Sequence, residues 1–132
     1  MNRILAIFLI SLAVSCNDDD CSSIACTTEY RLISVSLVDS EGNAVILDSY
    51  SVVRSDTREA LSFDTDVAEF NQEGQYSIAE DQHFDQIARE GTSFIFEGII
   101  NNEVVISENF LIGNDCCHVV KLEGPDSLTV DI

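Results

Sequence analysis

"YRLISVSLV", residues 30–38, decides the fold. Ile33, Val35 and Leu37 fall on one face of an extended chain and Ser34 and Ser36 on the other, the period-two signature of a half-buried strand. The stretch that follows, "DSEGN" (39–43), turns the chain, because Gly42 and Asn43 tolerate positive φ. Strand-like runs continue at 44–54, 61–63, 67–70 and 75–78, with "EGQY" (73–76) marking the turn before the last of them. "TSFIFEGII" (92–100) and "EVVISENFLI" (103–112) predict two long strands joined by Asn101 and Asn102, a pair suited to the positive φ of a tight hairpin. Residues 119–122 and 128–132 supply two more strands around "EGPD". One segment breaks the alternation: in "DQHFDQIARE" (81–90), Phe84, Ile87 and Ala88 recur at helical spacing, Asp81 can cap the start and Gly91 the end. A short helix is expected there.

Many short strands, a single proline, no low-complexity linker and no repeat predict one all-β domain, a two-sheet antiparallel β-sandwich with one short helix. Two short motifs give this pattern a relative. Asp39-x-x-Gly42 after a strand, and Gly74-x-Tyr76 opening a later one, resemble the carboxypeptidase-regulatory-like and transthyretin-like sandwiches of Bacteroidota surface proteins. The resemblance covers residues 31–112 and departs from the group at the cysteine-rich end. It implies an Ig-like or transthyretin-like accessory or adhesion module, with no catalytic residues to carry over.

The N-terminus reads as a signal. Arg3 precedes an unbroken run of apolar and small residues from Ile4 to Val14. That run is shorter than the about 20 residues a membrane-spanning helix needs and fits a cleaved secretory segment. Ala13, Val14 and Ser15 then lead directly into Cys16, which resembles the lipobox of bacterial lipoproteins, although that family prefers leucine where Ala13 stands. The resemblance implies that Cys16 becomes the lipid-bearing mature N-terminus and that the lipid supplies the membrane as a partner. Asp18, Asp19 and Asp20 resemble the signal that sends Bacteroidota lipoproteins to the outer face of the outer membrane; without that role they are a solvated spacer. The expected organisation is a signal peptide at 1–15, an anchor and acidic tether at 16–27, and the sandwich at 28–132.

Charge narrows the partners. The chain carries a formal charge of −18, and loss of residues 1–15 removes Arg3, leaving five Lys and Arg against 24 Asp and Glu, or −19, on 117 residues. Such a body repels phosphate backbones, so no nucleic-acid partner is expected. The partner expected is an unidentified protein or glycan, though with no Trp the aromatic support for a sugar platform is thin. Phe63, Phe70, Phe94 and Phe96 sit in alternating runs and are assigned to the core.

With Cys16 given to lipid, Cys21, Cys26, Cys116 and Cys117 remain, an even number in an oxidising compartment, and they are read as two disulfides. Linking the N-terminal pair to Cys116 and Cys117 would staple the start of the domain to its last strands; a bond between the neighbours Cys116 and Cys117 stays open as an alternative. "DCCH" (115–118) also suggests a Zn site, with Cys116 and His118 on one face of an extended strand, and a carboxylate cluster could hold Ca instead. A metal-binding surface protein is therefore the second reading. His83 is expected to be solvated. Asp64 and Asp66 are the sort of pair that 24 acids produce by chance, and no nucleophile elbow, phosphate loop or His-Glu-x-x-His pair occurs. No enzymatic activity and no cofactor are expected.

Overall fold

The computed structural model describes residues 21–63 and 72–132. Cys16, Asp18–Asp20, Asp64, Asp66, the run at 67–70 and Phe70 lie outside the described residues. Among the described residues seven strands form two sheets: β1 (Leu32–Val38), β2 (Ser49–Arg54), β3 (Gln75–Glu80), β4 (Thr92–Ile100), β5 (Glu103–Asn114), β6 (Val119–Glu123) and β7 (Ser127–Thr129). One sheet has the order β3-β1-β7 and the other β2-β4-β5-β6. This is the all-β two-sheet sandwich that the alternation predicts, and the inner face of β1 is the expected one, with Ile33, Val35 and Leu37 buried.

The sandwich is not antiparallel throughout. β7 runs parallel to β1, pairing Ser36 with Ser127 and Val38 with Thr129. A parallel neighbour leaves no mark in a sequence that alternates the same way in either direction. The Asn101–Asn102 turn forms as expected, with φ of 52° and 62°, and β4 pairs β5 along its whole length. Phe94, Phe96 and Phe110 lie side by side in the core with Val52, Ile78, Ile112 and Val119, while Phe63 packs on its margin. Gly124 makes room for Phe110: a Cβ there would run into its ring.

Residues 44–54 divide in two. Val45 and Leu47 point inward, but only Ser49–Arg54 form a strand. The upstream half crosses between the sheets, and the Tyr76 hydroxyl stands in for a neighbouring strand: it accepts from the Leu47 amide at 2.8 Å and donates to the Val45 carbonyl at 3.0 Å. Gly74 of the same motif, at φ 74°, lets the turn approach Ala44, whose Cβ would lie 2.8 Å from any added at residue 74. At 61–63 no strand forms: a single bridge between Val53 and Ala60 precedes the range, and the Leu61 amide bonds the Val52 carbonyl.

The expected α-helix is a 3-10 helix, Asp81–Gln86. Residue spacings of three satisfy either geometry, and the local bonds choose the tighter one. The Ile87 amide bonds the Phe84 carbonyl, and the Ala88 amide is taken by the Thr92 hydroxyl at 2.9 Å, so no α-helical register continues. The cap also moves: Glu80, not Asp81, caps the first turn in a reciprocal exchange with His83. That exchange buries His83, which is 2% exposed rather than solvated.

The register defines two ends. Leu32, Glu80, Thr92, Asn114 and Val119 gather at one; Val38, Gln75, Ser49, Thr129 and the Asn101–Asn102 hairpin gather at the other. Asp81 bonds the β6 backbone at the first end, and at the second the segment 45–48 crosses from the Leu37 carbonyl of one sheet to the Ile99 carbonyl of the other, which holds the two sheets in this alignment.

Candidate functional site

The cysteines meet at the first end. Cys21 is bonded to Cys116 and Cys26 to Cys117, over sequence separations of 95 and 91 residues. Four thiols in two long-range disulfides is the expected staple, and the neighbours Cys116 and Cys117 do not bond each other. The turn that presents them, Asp115–His118, is built by its own side chains: the Asp115 carboxylate accepts from the Cys117 amide at 3.0 Å and the His118 amide at 2.7 Å, and Asn114 Oδ1 accepts from the Cys116 amide at 3.2 Å. Cys116 sits at φ 75°, a left-handed backbone that costs an L residue about 1–2 kcal/mol. It aims successive sulfurs at two different N-terminal cysteines instead of at opposite faces of a strand.

Beside this turn a hydrogen-bonded chain runs through His118. Its Nδ1 lies 2.6 Å from Asp81 Oδ2, and its Nε2 lies 3.1 Å from the Thr27 hydroxyl. Asp81 also accepts from the Val119 amide at 2.9 Å and the Arg31 amide at 2.7 Å. Burial acts against the charge of Asp81, but these donors, His118 foremost, outweigh it and hold its carboxyl below the ordinary value. An ionised Asp81 is acceptor-only, so Nδ1 of His118 carries the proton between them. Thr27 in turn reaches Glu29 at 3.1 Å, and Arg31 reaches Asp115 at 3.6 Å. Arg31 and Thr27 precede β1, Asp81 follows β3 and His118 directly precedes β6, so the chain joins three segments distant in sequence.

A second knot adjoins it. Glu80, 3% exposed, accepts from the Tyr30 hydroxyl at 3.0 Å and from Gln82. The His83 ring accepts the Glu80 amide at Nδ1, which places the proton on Nε2, donated to the Ser62 carbonyl at 2.8 Å. Neither histidine role is visible in sequence; the nearest hint is that Glu80 and Asp81 are adjacent acids with a histidine three residues after Glu80.

The order Thr27, His118, Asp81 is that of a nucleophile, base and orienting acid. Here each group is committed to holding two segments together, and Asp81 satisfies two backbone amides as well as the imidazole. For a metal, the Cys116 sulfur is consumed by Cys21 and both ring nitrogens of His118 are engaged. Among the described residues no group of three or more His, Cys, Asp or Glu side chains is arranged to hold an ion. An open depression of about 590 Å³ lies alongside, lined by Cys21, Arg89, Glu90 and Asn114. Comparison with protein-family models, curated proteins and solved structures returns no match.

Proposed function

We propose that the chain is a lipid-anchored, non-enzymatic binding, adhesion or accessory module held at the outer membrane and facing the cell exterior. The observation that carries this reading is the apolar run from Ile4 to Val14 closing on Ala-Val-Ser-Cys16, with the acids Asp18–Asp20 directly after. The two disulfides support it, because such bonds persist in oxidising compartments outside the cytosol. The likeness of Asp39-x-x-Gly42 and Gly74-x-Tyr76 to the carboxypeptidase-regulatory-like sandwiches fits a module of this class. In the structure Asp39 earns its place by accepting from the Glu41 and Asn43 amides, both at 2.9 Å.

Anchoring at Cys16 would have a geometric result. Cys21 follows five residues later and is bonded to Cys116, so the disulfide end would be held near the lipid and the hairpin end directed away. Palmitate labelling of the expressed chain tests the anchor: label is expected and should vanish in Cys16→Ala, with the domain cut by protease on intact cells. An unlabelled protein, or one protected from protease, overturns the reading.

A further inference from the structure

We infer that the hairpin end is a docking surface for a basic protein segment carrying aliphatic side chains. The inference rests on the reading of the chain as a binding module, but not on the lipid. Three of the most exposed large hydrophobic residues lie at this end: Ile46 at 59%, Val104 at 55% and Ile132 at 75% exposure. Val104 pairs with Ile99, the Ile99 carbonyl accepts from the amide of Asp48, two residues past Ile46, and the Val130 amide binds Val38 at the same end of the other sheet. Single exposed aliphatics are ordinary on a folded surface; their concentration at one end is the observation.

The charge around them is of one sign. Asp39, Glu41, Asp48, Glu73, Glu103 and Asp131 belong to the turns and strand ends here. Every described cation belongs to the opposite half. Arg31 and Arg89 flank the disulfide end, Arg54 pairs with Phe94 and carries Arg58 on its turn, and Lys121 pairs with Ile112. The stretch 64–71, outside the described residues, contains no Lys or Arg either. The molecule is thus polarised along its strands, with mixed charge at one end and uncompensated carboxylate at the other.

That combination selects an occupant. Anionic lipid and nucleic acid are repelled, and so is a second copy of the same end, since like charges would be brought together. A glycan platform calls for exposed aromatic rings, and the one strongly exposed described aromatic, Tyr30, is at the other end. Lysine or arginine side chains would find carboxylates that no described Lys or Arg pairs with, and interspersed aliphatics would cover Ile46, Val104 and Ile132. Long-range attraction would then set the association rate and apolar contact the residence time.

The test uses the full chain with both disulfides, labelled with ¹⁵N and titrated at low salt with a synthetic peptide of alternating lysine and leucine. Saturable amide shifts are expected at residues 44–48, 101–104 and 130–132. The triple variant Ile46→Ser, Val104→Ser, Ile132→Ser, whose altered side chains are all exposed, should keep its dispersed amide spectrum and bind about tenfold more weakly. Glu103→Gln with Asp131→Asn should weaken binding and flatten its salt dependence. Shifts spread over both ends, an all-lysine peptide binding equally well, a glutamate–leucine peptide binding equally well, or no saturable shift would each overturn the inference. None of these outcomes bears on palmitate labelling at Cys16, so the two readings fail separately.

Discussion

The two disulfides should stabilise the domain non-additively, and the size of the effect follows from where they lie. In the chain-entropy account, closing a loop of 91 or 95 residues restricts the unfolded chain by about 4.6 kcal/mol. The second bond is a different matter. With Cys21–Cys116 closed, forming Cys26–Cys117 adds only the short ring made by residues 21–26 and the link from 116 to 117, and a ring of roughly six residues is worth about 2 kcal/mol in the same account. The pair variants Cys21→Ser/Cys116→Ser and Cys26→Ser/Cys117→Ser should each therefore cost about 2 kcal/mol, while replacing all four cysteines should cost about 7 kcal/mol. Urea unfolding of the four proteins, followed by circular dichroism, measures the cycle. The four-serine protein should fall short of the parent by some 2–3 kcal/mol more than the two pair variants together. Strict additivity would refute the reasoning, and a four-serine protein no less stable than either pair variant would point instead to two local rings, Cys21–Cys26 and Cys116–Cys117, because each pair variant would then break both.

Three other outcomes follow from the described geometry. Asp81→Asn should cost about 2–3 kcal/mol near neutral pH, since it weakens acceptance from His118, Val119 and Arg31. The folded carboxyl of Asp81 lies below its unfolded value of 3.8, so its contribution is complete above that pH and is lost as pH falls through the folded value; acid unfolding of Asp81→Asn should accordingly be shallower below about pH 4. Gly98→Ala should destabilise by about 1–3 kcal/mol in thermal unfolding, because the added Cβ would meet Leu47 at 2.7 Å and Ile106 at 2.8 Å. A fluorophosphonate probe should leave Thr27 unmodified by intact mass; a stoichiometric adduct on Thr27 would revive the hydrolase order of Thr27, His118 and Asp81.

Legibility tracked the range of the interaction. Ile33, Val35 and Leu37 are read from sequence because burial on one face of a strand repeats every second residue. Asn101–Asn102 and Asp39–Gly42 are equally local, each turn being dictated by side chains within it. The even number of cysteines announced the staple but not its pairing, which depends on the left-handed Cys116. What escaped are partnerships formed across the fold. His83 looks like a polar residue of a short helix and is buried because the Glu80 amide and the Ser62 carbonyl both engage it. Residues 44–48 alternate as a strand does, yet the Val45 and Asp48 amides reach Leu37 and Ile99 on two different sheets, and the backbone between them is held by the hydroxyl of Tyr76, 29 residues beyond Leu47. Asp81 reads in sequence as a helix cap, a place that Glu80 takes instead; its position under His118 is set by the approach of β6, about which the local sequence carries no information.

The pairing of β7 with β1 also bears on how the chain acquires its fold. Ser36 finds Ser127 only when nearly the whole sequence is present, so the edge of β1 stays open until the last described strand arrives. Contacts of such separation close slowly, because the intervening chain must be ordered first. A chain that completes its sheet this late leaves one edge of β1 without its partner for most of its synthesis, and β7 is the latch that closes it.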